Sequence, residues 1–228
     1  MAHPNTGLLL FMEEPSATVA RWRETELPVG AGVAIVSAVH RDLLDNLAAA
    51  EEVRIYLAPA AESDADYVSE LVRGTQASPL EVPRAAALQR WDSGLSILYN
   101  RCSHRKVICA DGRVPDVYAD DLTRARRKLD LYQMIIGREG EDRCWLIGMN
   151  SYLEILAAAE ARPEDLLHPI LETAGRLGLD ISVLDTKHAL TTGASLHRLQ
   201  GLSRRPQHPG LARALADHGL APPPAPGG

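Results

Sequence analysis

The 228-residue chain is long enough for one sizeable domain or two small ones, and 46% hydrophobic with 24% charged residues is the composition of a globular protein with a true core. Aromatic residues make up only 4%, with Phe11 the single phenylalanine, so the core must be built from Leu, Val, Ile and Ala, and a stacking platform for single-stranded nucleic acid is disfavoured. A net charge of −6 argues against a general polyanion binder, because nonspecific nucleic-acid affinity comes from neutralising many phosphates with Lys and Arg.

Gly7 to Met12 reads as a first strand, and Pro15 to Glu26 as a helix with Ser16 at its N-cap. The short apolar run at Leu8–Met12 has no basic flank and is followed by acids, which supports neither a signal peptide nor a membrane span. Ala31 to Ser37 is a continuous apolar run of strand length, followed by a helical pattern from Arg41 to Glu51. Val53 to Ala58 is a further strand, and Ser63 or Asp64 would cap a helix through Tyr67 to Val72.

Gly74 to Pro83 is a loop, and a short helix from Arg84 to Arg90 follows. Leu95 to Tyr99 and Arg105 to Ala110 read as strands, the second ending at the turn pair Asp111-Gly112. The longest predicted helix runs from Asp121 to Ile136. After it come a strand at Cys144 to Gly148, helices at Tyr152 to Ala161 and Pro163 to Leu177, and a last strand at Ile181 to Leu184. From Gly201 the chain is rich in Arg and Pro, with one short helix near Leu211 to His218 and a Pro/Gly-rich, disordered end that buries no core.

Alternating strands and helices predict an α/β domain with a mainly parallel or mixed sheet flanked by helices over residues 1–200, with 201–228 as a short helix and tail. The order strand, helix, strand, His104 is echoed by strand, helices, strand, His188, which divides the domain into two pseudo-repeated halves at about 1–115 and 116–200. Cys102, Cys109 and Cys144 are too few and too widely placed for a disulfide scaffold, so a cytoplasmic protein is expected.

The chemistry concentrates in His104-Arg105-Lys106-Val107-Ile108-Cys109-Ala110-Asp111-Gly112, an H-x-K-x4-D spacing along an apolar strand. One of only three lysines stands there. On a strand, positions i and i+2 share a face, so His104 and Lys106 project together and Asp111 sits at the turn. A neutral imidazole is a competent nucleophile toward phosphorus, an ammonium stabilises charge on the phosphoryl oxygens, and a second His is needed as general acid. The spacing Cys102-x-His104-x4-Cys109 is not that of a zinc site, and no Gly-rich loop follows a strand, so neither a metal nor a cofactor is expected.

These residues resemble the phospholipase D superfamily, whose H-x-K-x4-D signature lies on a strand after a β-α-β unit; the resemblance covers roughly Val53 to Arg113. It implies a metal-independent phosphodiesterase or phosphatidyl-type transferase working through a phospho-histidine. In that reading His104, Lys106, Asp111 and His188 are catalytic, and Asn100, Arg105, Asn150 and Ser151 bind substrate. With a single copy of the motif, the second His comes from His188 or across a homodimer. The expected partner is a phosphate-containing small molecule or lipid, without long nucleic acid and without a membrane span. A non-catalytic phospholipase D-like module that binds a phosphorylated ligand or protein is the second reading. A third is an unrelated Rossmann-like α/β enzyme or nucleotide-binding protein with its site at the carboxyl ends of the strands, lined by Ser37, His40 and the residues after Ala58.

Overall fold

The computed structural model describes residues 5–22, 27–83, 87–158, 167–191 and 194–222. In chain order the elements are β1 (Thr6–Met12), α1 (Pro15–Ala20), α2 (Val29–Ala48), β2 (Val53–Pro59), a 3₁₀ turn (Glu62–Asp64), α3 (Ala65–Arg73), β3 (Ser78–Pro79), α4 (Ala87–Asn100) and β4 (Lys106–Asp111). They continue with α5 (Ala119–Lys128), β5 (Met134–Glu139), β6 (Arg143–Met149), α6 (Ile155–Ala158), α7 (Leu167–Arg176), β7 (Ile181–Lys187), α8 (Ala194–Leu202) and α9 (Pro209–Asp217).

The strands form one seven-stranded sheet in the order β3-β2-β1-β4-β6-β5-β7. β6 runs antiparallel to β4 and β5, and the remaining pairings are parallel. β1 lies between β2 and β4 and is buried at every position, because helices cover both faces of a parallel sheet. Its side chains alternate accordingly. Leu8, Leu10 and Met12 pack with α2, α3 and α5, and Leu9 and Phe11 pack with α4, α6 and α7.

Two predicted strands are helices. Ala31 to Ser37 is the first half of the 20-residue α2, and Leu95 to Tyr99 is the last part of α4. In α2, Leu43, Leu44 and Leu47 face the sheet, whereas Ile35, Val36 and Val39 join Val19, Trp22, Leu199, Leu211 and Leu215 in a third cluster under α1, α8 and α9. A helix covered on two sides loses its polar stripe and looks like a buried strand. The predicted helix from Asp121 to Ile136 divides into α5 and the buried strand β5.

The expected short C-terminal helix is α9, and it contributes to the core. α9 packs on α2, with Leu211 and Leu215 wholly buried. The Asp42 carboxylate accepts the Gly210 and Leu211 N–H groups at 3.0 and 2.8 Å, which satisfies the first turn of α9 and favours its positive dipole end. The ends of the predicted helices over Pro15–Glu26 and Tyr152–Ala161, the starts of those at Arg84 and Pro163, and the terminal 223–228 segment lie outside the described residues. Among the described residues no helix is long and apolar enough to cross a membrane.

Candidate functional site

The sheet order places a reversal between β1 and β4: the chain leaves β1 toward β2 on one side and arrives at β4 on the other. In an open α/β sheet a crevice forms at the carboxyl ends of such a pair. Here Phe11 pairs with Asp111, so the acids that follow β1 and end β4 emerge side by side. Phe11, Glu13, Ala60, Arg90, Trp91, Asp111 and Arg113 line a cavity of about 210 Å³ at this point.

Local chemistry holds each wall. Gly112 turns the chain directly against β1, where a Cβ would lie 2.3 Å from the Met12 Sδ and 2.9 Å from the Phe11 carbonyl oxygen. Asp111 accepts the Arg113 backbone N–H at 2.9 Å, and its carboxylate is held by the Arg113 guanidinium at 2.6 to 3.1 Å. Burial works against the Arg113 charge, but Asp111, and then Glu13 and Glu139, outweigh it and raise the guanidinium above its ordinary value. Glu13 accepts from Thr18 Oγ1 at 2.7 Å and from Arg21. Burial opposes its ionisation, yet Arg21, Thr18 and Arg113 together hold it below the usual carboxylate range.

On the other wall, Arg90 in the first part of α4 donates to the Ala60 carbonyl at 2.7 Å and to the Pro59 carbonyl, with its guanidinium 5.9 Å from the Phe11 ring. Trp91 stacks on Phe11 with centroids 5.9 Å apart. Ala60 and Arg90 also line a second groove of about 820 Å³, whose apolar wall includes Leu57, Val68, Pro79 and Leu80, so the two spaces adjoin along one loop. The oxygen donors near Arg113 are Glu13, Asp111 and Glu139, each paired with an arginine, and among the described residues no three His, Cys, Asp or Glu side chains gather as a preformed cation cage.

The residues singled out in the sequence are dispersed over both ends of the sheet. His104 precedes β4 at its amino end, 1% exposed, with Nε2 2.9 Å from the Tyr56 hydroxyl and its ring against Gly7, where a Cβ would stand 2.6 Å from His104 Cδ2. Lys106 donates to the Arg126 carbonyl at 3.1 Å and pairs with Asp130, while Asn150 donates to the Leu129 and Tyr132 carbonyls. Both side chains thereby satisfy carbonyls at and just beyond the end of α5. Ser151 adjoins Asn150, and Arg105 and Asn100 are exposed at the same amino end. Asp111 is about 16 Å away from Lys106 along the strand, at the far end. His188 follows β7 and is exposed at that carboxyl end, so it does not meet His104. Of the residues named for a carboxyl-end site, Ala60 lines the cavity; Ser37 lines a separate groove between α2 and α3, and His40 is buried.

Glu13, Arg90, Trp91 and Arg113 line the cavity but belong to no motif in the sequence. The available signal was two apolar strands that each run straight into an acid, Leu8–Met12 into Glu13 and Val107–Ala110 into Asp111.

No protein-family model matches the chain, and no curated protein matches it. Solved structures do. One is a Desulfovibrio desulfuricans G20 protein assigned as a nucleotide-diphospho-sugar transferase, 15% identical, matched over 96% of this chain and 99% of that one with a TM-score of 0.76. A cytidylyltransferase from Leptospira borgpetersenii is 12% identical over 94% and 95% of the two chains, with a TM-score of 0.58. The 4-diphosphocytidyl-2C-methyl-D-erythritol synthase of Anaerococcus prevotii is 13% identical over 86% and 100%, with a TM-score of 0.57.

The chain shares its mixed α/β fold with these solved structures. This overturns the resemblance to the phospholipase D superfamily, and with it both the phospho-histidine phosphodiesterase and the non-catalytic phospholipase D-like module. The physical reason agrees: the H-x-K-x4-D spacing here is divided between the two ends of a sheet strand, and its His and Lys are engaged in packing and helix capping. The Rossmann-like alternative is related only loosely, through its placement of a site at strand carboxyl ends.

Proposed function

We propose that the chain is a nucleotide-dependent transferase that binds a nucleoside di- or triphosphate, free or carried on a sugar, across the two adjoining spaces at the carboxyl ends of β1, β2 and β4. The observation that carries the reading is the polar cavity at the sheet reversal, where Arg90 and Arg113 converge with Glu13 and Asp111 and open onto a larger, mostly apolar groove. Its supports are the volume and mixed lining expected of small-molecule sites, the position at a topological switch point, and the transferase names of the similar folds. Phosphate oxygens would lie toward the two guanidiniums, whose planar donors suit them, and the nucleoside in the groove. Asp111 would be released from Arg113 as phosphate takes over that guanidinium.

The test is calorimetric titration with the common nucleoside di- and triphosphates and with UDP- and CDP-sugars. At least one binds, and Arg90→Gln and Arg113→Gln each weaken it about tenfold or more, the loss expected for a charge-assisted hydrogen bond. Failure of every nucleotide to bind, or affinity indifferent to both substitutions in folded protein, overturns the reading.

A further inference from the structure

The loop that separates the two spaces, Pro59-Ala60-Ala61, is gripped from opposite sides by opposite charges. On one side the Arg90 guanidinium takes the carbonyls of Pro59 and Ala60. On the other the Asp64 carboxylate, 1% exposed in the 3₁₀ turn after β2, accepts the Ala61 N–H at 2.6 Å with Oδ2 and the Glu14 N–H at 3.1 Å with Oδ1. Asp64 therefore joins the loop after β2 to the loop after β1, beside a backbone bond from the Ala60 N–H to the Met12 carbonyl at 2.7 Å. Each of its oxygens has one donor, and each donor belongs to a residue next to a wall of the cavity: Glu14 beside Glu13, and Ala61 beside Ala60.

A carboxylate buried this deeply needs compensating charge or donors. Two backbone N–H groups supply part of it, and the Arg90 guanidinium lies near: burial lowers the Arg90 pKa, and the Asp64 charge pulls it the other way. The carbonyls that Arg90 binds and the amide that Asp64 binds sit on three consecutive residues, so the two side chains hold one peptide segment in one conformation. Charge-assisted bonds are about twice as strong as neutral ones, and the Asp64 carboxylate is shut off from water. The Arg90 Nε is buried and without a hydrogen-bond partner, so the guanidinium is not fully committed to the loop.

We infer that Asp64 is a positioning residue: through the Pro59–Ala61 loop it fixes Arg90 and the Glu13 wall in register for the nucleotide, so that binding need not order them. The inference rests on the nucleotide reading given above. It also predicts a property of the ligand-free protein, and this separates the two.

The experiment is a double-mutant cycle of Asp64→Asn and Arg90→Gln, read in nucleotide affinity by calorimetry and in amide hydrogen exchange of the ligand-free protein. An Asn side chain keeps the volume and one acceptor oxygen but loses the charge and the second acceptor. Asp64→Asn is expected to weaken nucleotide binding about tenfold in the parent protein and less than twofold once Arg90 is gone. The Glu14 or Ala61 amide is expected to exchange at least about tenfold faster in Asp64→Asn, whether or not a nucleotide is present. Additive effects on affinity would make Asp64 merely structural, and unchanged exchange at both amides would remove the clamp itself. If no nucleotide binds while exchange accelerates, the clamp stands and the function reading falls.

Discussion

His40 carries a clear proton-linked cost in this molecule. It is fully buried on α2, with Nδ1 2.7 Å from the Tyr67 hydroxyl and Nε2 lacking a hydrogen-bond partner. Burial lowers its pKa from 6.5 to about 4, against the opposite pull of Glu13 and Asp111. The unfolded chain therefore takes up a proton below about 6.5 that the folded chain refuses until about 4. The stabilisation is fully present above 6.5 and is lost as pH falls from 6.5 to 4, by roughly 3 kcal/mol. His208, buried and also lowered by desolvation, acts with the same sign. Thermal unfolding across pH 4 to 8 should show this decline, and His40→Phe should flatten it by about one proton; an unchanged slope would assign the decline elsewhere. His104, by contrast, is buried at the amino end of β4 and hydrogen-bonded to Tyr56, a placement that neither its neighbours in sequence nor the H-x-K spacing reveals.

Among the elements, α5 shows how a residue can look chemical and act structurally. Lys106 on β4 and Asn150 after β6 reach carbonyls at the end of α5, groups that a helix cannot satisfy within itself. Lys106→Met should cost about 1 kcal/mol in urea denaturation, the net worth of one such bond, since the Asp130 partner is well exposed and adds little. Nucleotide affinity should stay within twofold, because the side chain lies at the end of the sheet opposite the cavity. A large loss of binding with intact fold would return Lys106 to the site. The element boundaries were legible where an apolar run was short and closed by an acid or a turn, as in β1, β2, β4 and β6. They were not legible in α2 and α4, whose apolar residues serve two packing partners and so carry no clean period.

At the scale of the whole molecule, the α1–α2–α8–α9 cluster makes the C-terminal segment part of the core. Leu211→Ala and Leu215→Ala should each destabilise by about 2–5 kcal/mol, the range for wholly buried leucines, in equilibrium denaturation. Costs below about 0.5 kcal/mol, typical of surface sites, would detach α9 from the fold. The sequence by itself determined the class of the fold, since alternating apolar runs and amphipathic segments can bury their faces only as helices on a sheet. It also marked Asp111 as the end of a strand. Only the tertiary structure decided which residues share a site. Glu13, Ala60, Arg90 and Arg113 come from four separated segments, and their meeting depends on strand order and parallel register, which place the ends of β1, β2 and β4 together and set His104 and Lys106 at the opposite end.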